Sequence, residues 1–268
     1  MIGAIAGDVI GSVYEHHPAG GADFQPLVSA RACFTDDTVL TVATADAILN
    51  GGDYAEAYRT WGNRYPHAGY GGSFRRWLAT PGAGPYGSWG NGSAMRVSPV
   101  AWAFASEAEV LREAGRSAAA THDHREGIKG AQAVALAVLM ARTGADKDDI
   151  RREVAGRFGY DLSRTVEGIR PGYGFHVSCM KSVPEALVAF LDSDGAEHAI
   201  RLAVSLGGDA DTQAAVAGAV AEAFYGGIPD EVRGPALERL VPELRSIVDS
   251  FEARFVTPAL GSSESAGS

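Results

Sequence analysis

The sequence predicts an all-α protein, a bundle of close-packed helices, and three observations carry that expectation. Apolar residues recur at three- and four-residue steps along most of the chain. No alternating apolar and polar run bounded by hairpin turns interrupts them, and β-branched residues sit inside helical patterns. The periodic segments are also rich in alanine, which lets helix backbones approach closely.

The elements can be justified in order. MIGAIAGDVIGSVYEHH follows an apolar helical pattern with Asp8 inside it. Its shortness, that acid and the lack of a basic flank argue against a signal peptide. TVLTVATADAIL (38–49) opens with Thr35 as an N-cap and with Asp36 and Asp37 in the first turn, where the helix dipole favours acids. Residues 62–98 are rich in Gly, Pro and aromatics, too long for a connector, and are expected as an ordered functional loop. EGIKGAQAVALAVLMAR (126–142), VPEALVAFL (183–191), EHAIRLAVSL (197–206) and DTQAAVAGAVAEAFYG (211–226) complete the helical set. Thr121, Ser182 and Asp209 or Asp211 are the expected helix starts, and Gly226, Gly227 and Pro229 close the last segment. Residues 259–268, ending GSSESAGS, are expected as a disordered tail.

Composition bounds the function. Hydrophobic residues at 46% and charged residues at 21% exclude a disordered or fibrous chain. Lys+Arg 23 against Asp+Glu 33 give a net charge of −10 with no basic run, which argues against a nucleic-acid partner. A phosphate-bearing ligand stays open, because a bound divalent cation would dominate the local field. No long apolar stretch free of charge is present, so no membrane association is expected. Cys33 and Cys179 lack CxxC spacing, which argues against a thiolate zinc site and for a reduced, cytoplasmic compartment.

Two segments suggest a metal site. Taken alone, TDDT (35–38) reads at least as well as a capped helix with solvated acids. GGDADT (207–212) shifts that balance. Asp209 and Asp211 alternate along an extended turn, Thr212 begins a helix, and Gly207 and Gly208 let the backbone bend close to a ligand. Carboxylates and hydroxyls suit hard divalent cations, and a pair of such ions would relieve the repulsion of four neighbouring acids. GSWGNGSAMR (87–96) is a glycine-rich loop able to present backbone N–H groups to an anion, without the Lys-Ser/Thr ending of a nucleotide triphosphatase. THDHREG (121–127) puts His122 near a helix start without the partners zinc needs, so His122 reads as a ligand-contacting residue or one that braces a metal ligand rather than as a ligand itself. No nucleophile signature is present, which favours activated water.

Together, GAIAGDVIGSVYEHH (3–17), FTDDTVLT (34–41), GSWGNGSAMRVSP (87–99), THDHREGIKGAQAVA (121–135), VSCMKSVPEALVAF (177–190) and SLGGDADTQAAVAGAVAEAFYGGIP (205–229) resemble the ADP-ribosylglycohydrolase family. That group includes the dinitrogenase-reductase-activating glycohydrolase. The resemblance implies a single domain over residues 1–258, folded as a compact orthogonal helical bundle around two ions, Mg2+ or Mn2+. It implies Thr35, Asp36, Asp37, Asp209, Asp211 and Thr212 as metal ligands. Ser88, Trp89, Gly90, Asn91 and Gly92 resemble the loop that holds the diphosphate and distal ribose, with His122 also touching the ligand. Gln213 and the Met180–Lys181 pair depart from common members and are expected at the substrate pocket.

The implied reaction is hydrolysis of the glycosidic bond between ADP-ribose and an acceptor, either a protein side chain or a small molecule. Asp37, or another carboxylate of the cluster, would serve as general base for the attacking water and Glu15 as a second acid/base. The alternatives are a non-catalytic ADP-ribose-binding or crystallin-like relative, and a metal-dependent phosphoesterase.

Overall fold

A computed structural model describes residues 1–256, so the tail expected at 259–268 lies outside the described residues. The chain runs through α1 (Ile2–Gly11), α2 (Asp36–Asn50), α3 (Tyr54–Arg64), α4 (Gly72–Leu78) and α5 (Gly92–Met95). Then follow α6 (Ser98–Ala103), α7 (Glu107–Ala119), α8 (Arg125–Arg142), α9 (Lys147–Phe158) and α10 (Val166–Ile169). The last five are α11 (Cys179–Asp192), α12 (Ala196–Ser205), α13 (Ala210–Tyr225), α14 (Asp230–Glu238) and α15 (Pro242–Phe251). Among the described residues β-structure is limited to one isolated antiparallel bridge, Gly90 to Ser178. The all-α expectation holds.

α13 is the axis of the packing. Every residue from Ala210 to Ala223 is buried, because α1, α8, α11 and α12 cover it on all sides. A helix enclosed in this way needs apolar residues all round rather than one apolar stripe, and its alanines keep the neighbours close. α1 is likewise buried along its full length. The two helices touch backbone to backbone: a Cβ on Gly7 would lie 2.1 Å from the Ala214 carbonyl oxygen, and one on Gly3 2.1 Å from that of Gly218. Glu222 of α13 accepts the first N–H groups of α1, from Ile2 at 3.1 Å and Gly3 at 2.8 Å, so α13 also caps α1. α1 is therefore fixed laterally and at its N-terminus.

Several boundaries differ from expectation. Thr35 is the N-cap of α2, and Gly226, at φ 77°, ends α13 as expected. α8 starts instead at Arg125 behind His124, whose ring accepts the Glu126 N–H, and Thr121 belongs to the turn after α7. α11 begins at Cys179 behind Ser178, so Ser182 lies inside it. The Val-Pro pair hid that first turn. Pro184 lacks an N–H for the carbonyl four residues back, but that residue, Met180, is exposed and water can take the bond. α13 starts at Ala210, ahead of Thr212. Residues 62–98 are not one loop; they contain α4 and α5, and Arg59 orders the stretch by donating to the carbonyls of Trp77 and Ala83, each at 2.7 Å.

The α1–α13 contact gives a direct test. Replacing a helical glycine with alanine gains about 1 kcal/mol of helix propensity. At Gly7 the overpacking against backbone costs more, since backbone cannot rotate away. Gly7→Ala should lower unfolding stability by about 2 kcal/mol net in urea titrations, and an unchanged or raised stability would contradict the packing.

Candidate metal centre and ligand cavity

Three helix ends meet at one point: the C-terminal half of α1 and the N-termini of α2 and α13. Asp8 of α1 is fully buried and turned toward the first turn of α2. Its Oδ2 accepts the N–H groups of Thr35 at 2.9 Å and Thr38 at 3.0 Å, and also the Thr38 hydroxyl. Its Oδ1 accepts the Thr35 hydroxyl at 2.7 Å. The free N–H groups of a helix N-terminus and the positive end of its dipole thus act on one carboxylate. Sequence reasoning missed this role. The available signal was an acid within an otherwise apolar, glycine-spaced helix.

Asp36 and Asp37 follow in the first turn of α2. Thr35 accepts the Asp37 N–H, so this segment is a helix cap as well as a candidate ligand set. In the second acid pair Asp211 accepts the first-turn N–H of Thr212 at 2.9 Å, and only Asp209 makes no capping bond. Asp209 stands at the N-cap position of α13, yet its Oδ2 instead accepts from Asn91 Nδ2 at 2.7 Å. The turn before it needs left-handed backbone at Gly207 and Gly208, at φ 74° and 72°. At Gly208 a Cβ would also strike the Gly174 carbonyl oxygen at 2.7 Å. The Thr212 hydroxyl donates to Asp37 Oδ2 at 3.0 Å and joins the two clusters.

The residues present fit a divalent cation. Oxygen atoms of Asp8, Asp37 and Asp211 lie within 4.8 Å of one another. Asp37 Oδ1 is buried there without a hydrogen-bond partner. Among the described residues no Lys or Arg pairs with Asp36, Asp37, Asp209 or Asp211. Several carboxylates in one buried spot, with no protein cation among them, call for positive charge from outside the chain. Asp8 belongs to this group by distance, but its oxygens are committed to Thr35 and Thr38. Asp36, Asp37, Asp209 and Asp211, with the remaining lone pairs of Thr35 and Thr212, are the ligands to be expected.

Without an ion the cluster resists ionisation. Burial, and then the charges of Asp8 and Asp209, push Asp36 up to about 8. Burial and then the neighbouring acids raise Asp37 and Asp211, and burial alone raises Asp209. For Asp209 burial prevails over the lowering effect of the Asn91 bond. Glu15 is raised by its own partial burial and, more weakly, by Asp209, while the nearby His16 opposes the shift.

The cluster forms the floor of a cavity of about 430 Å3, a volume suited to a nucleotide-sized ligand. Thr35, Asp36, Asp37, Asp209, Asp211, Thr212, Glu15, Ser88, Gly90, Asn91, Gly92 and His122 all line it, so the structure gathers these separated segments. Trp89 does not line it; its indole is 48% exposed outside. The glycine loop is strapped to the start of α11, with Asn91 N–H donating to Val177 O at 2.8 Å and Cys179 N–H to Trp89 O at 3.1 Å. Gly90 N–H is also used internally, on Ser88 Oγ, so the loop has fewer N–H groups to offer an anion than its glycines suggest. Tyr86, Arg96, Phe175 and Val177 line the cavity without having been marked in the sequence. Gln213 and Met180 do not line it. Gln213 Nε2 donates to the carbonyls of Gly207 at 2.6 Å and Asp209 at 3.1 Å, so it braces the acidic turn from behind.

Among the described residues the protein is all-helical, and its ligand-sized cavity ends in a buried acid cluster that could hold a metal ion. The comparisons with known proteins make this specific. The sequence profile of the ADP-ribosylglycohydrolase family matches residues 1–259, and the chain belongs to that family. It is similar to ADP-ribosylhydrolase ARH3 of Homo sapiens, 26% identical over 84% of each chain. It is also similar to ADP-ribosylarginine hydrolase Tri1 of Pseudomonas putida, 28% identical over 86% of this chain and 71% of that one. A solved structure described as an ADP-ribosylglycohydrolase-related protein complex superposes with a TM-score of 0.72 at 28% identity, covering 94% of this chain and 96% of that one. No helix among the described residues is long and apolar enough to cross a membrane.

The raised acids predict how stability depends on pH. Each binds its proton more tightly folded than unfolded, so its contribution is present below the ordinary value of 3.8 and is lost as pH rises, for Asp36 through about 8. A cation held by the carboxylates offsets that loss most where the protons are gone. The rise in melting temperature on adding millimolar Mn2+ should therefore grow from about pH 5.5 to about pH 8. A rise that is flat across this range, or zero, would contradict the site.

Proposed function

We propose that the protein hydrolyses the glycosidic bond between ADP-ribose and an acceptor, removing ADP-ribose from a protein side chain or a small molecule, with two divalent cations, Mg2+ or Mn2+, as cofactors. The observation that carries this reading is the convergence of Asp36, Asp37, Asp209 and Asp211, uncompensated by any protein cation, on the floor of one cavity under the glycine loop. The ADP-ribosylhydrolase names of the relatives support the substrate class. The free thiols of Cys33 and Cys179 support a reducing, cytoplasmic setting.

Bound cations would supply the positive charge that offsets the carboxylates, positions sugar hydroxyls and acidifies water. The chain supplies the rest. Asp37, with one oxygen on the Thr212 hydroxyl and the other free, is placed to take the proton of the attacking water. The negative floor favours the positive charge that develops at the anomeric carbon as the bond breaks. Asn91 ties the glycine loop to Asp209, so the wall that holds the ligand and the floor that reacts with it keep one register. Glu15 stands at the cavity with its carboxyl raised by burial, which suits it to a second acid/base role.

Replacing both Asp36 and Asp37 by Ala removes two expected ligands and the base. Release of ADP-ribose from an ADP-ribosylated protein should fall by roughly 10^3-fold or more. Undiminished release by the double variant, or release of inorganic phosphate instead of ADP-ribose by the wild type, would overturn the assignment.

A further inference from the structure

Behind the cavity wall three buried side chains stand in line. Arg96 is fully buried, with its guanidinium 4.0 Å from the centre of the Tyr58 ring. Its Nη2 donates to the Ser117 carbonyl at 3.2 Å and to Thr121 Oγ1 at 2.7 Å. Its Nε and Nη1 have no hydrogen-bond partner. Thr121, also fully buried, places the same hydroxyl 2.7 Å from His122 Nδ1. His122 lines the cavity.

The donor inventory constrains the direction of this chain. A guanidinium only donates and does not lose its proton. Thr121 Oγ1 therefore accepts from Arg96 and keeps its single proton to give. The nearest strong acceptor is His122 Nδ1. The phenol of Tyr86 approaches the same hydroxyl, but it is a weaker acceptor than an imidazole nitrogen and carries a proton of its own to donate. An imidazole that accepts at Nδ1 carries its proton at Nε2.

We propose that Arg96 and Thr121 are positioning residues that lock His122 in the Nε2–H tautomer, making it a fixed hydrogen-bond donor to a ligand oxygen in the cavity. Burial and the positive charge of Arg96 both oppose protonation of the ring, so it stays neutral. Nε2 lies against the bare face of the glycine loop: a Cβ on Gly92 would be 3.1 Å from it and one on Gly90 3.5 Å. Side chains at those positions would crowd the N–H. A ring locked in this way can donate to a phosphate or hydroxyl oxygen and cannot serve as the general base. On the ADP-ribose reading proposed above, its partner is an anionic diphosphate oxygen.

The test has two parts, and the first needs no ligand. In protein carrying isotopically labelled histidine, with His122→Gln to assign the signal, the imidazole nitrogen shifts at neutral pH should show a protonated Nε2 and an unprotonated Nδ1. A protonated Nδ1 in the wild type overturns the relay, whatever the protein's activity. In the second part, Thr121→Val should mix the tautomers and weaken ADP-ribose binding about tenfold in calorimetry, and Thr121→Ser should restore both. Equal tautomer ratios and affinities in the Val and Ser variants also overturn it. Failure of the wild type to bind ADP-ribose would count against the substrate reading, and the tautomer measurement would still decide the relay.

Discussion

The carboxylate of Asp8 holds the site together. It accepts two backbone N–H groups and two hydroxyls from Thr35 and Thr38, and so joins α1 to the first turn of α2. Charge-assisted bonds of this kind, made in a dry interior, rank among the stronger polar contacts a protein makes. α1 is itself pressed against α13 without side-chain clearance and is capped by Glu222. The two helix ends that present the candidate ligands are therefore both referenced to α1. One rigid element sets the distance between Asp36–Asp37 and Asp209–Asp211.

That rigidity is needed because the cluster works against the fold. Burial raises every one of its acids, and mutual repulsion adds to this at Asp36, Asp37 and Asp211. A looser scaffold would let the carboxylates drift apart into water or toward a basic side chain. Here the alanine and glycine contacts of α1 with α13 and the Thr212–Asp37 bond keep them together. Among the described residues the chain supplies no cation there, and stability is sacrificed to hold the acids in place. The wall is built on the same logic, with His122 held from behind and Gly90 and Gly92 left bare before it.

Much of this was legible in the sequence. The helical period gave the all-α class, and the acid–hydroxyl pairs gave the floor of the cavity, because both are local patterns with a physical cause. Contacts that depend on packing were harder to see. Asp8 looked like an intruder in an apolar run until α2 was placed beside it. Arg96 and Thr121 close and open two motifs that were noted for other residues, and their meeting across α5 and the turn after α7 depends on tertiary structure. Gln213 was expected at the pocket because it departs from common family members, but it lies one step beyond Thr212, and one step along a helix turns a side chain by about 100°. That rotation carries it to the rear of the acidic turn. The glycine loop was recognised, although the internal use of its Gly90 and Asn91 N–H groups was visible only in three dimensions.

On the proposed function, Asp36, Asp37, Asp209 and Asp211 hold cations while Asp8 holds the helix that presents two of them. Anomalous diffraction from crystals grown with Mn2+ tests this most directly. The predicted result is metal density among those four carboxylates, with both Asp8 oxygens still bonded to Thr35 and Thr38. No density in the cluster, or an ion ligated by Asp8 with its threonine bonds broken, would contradict it.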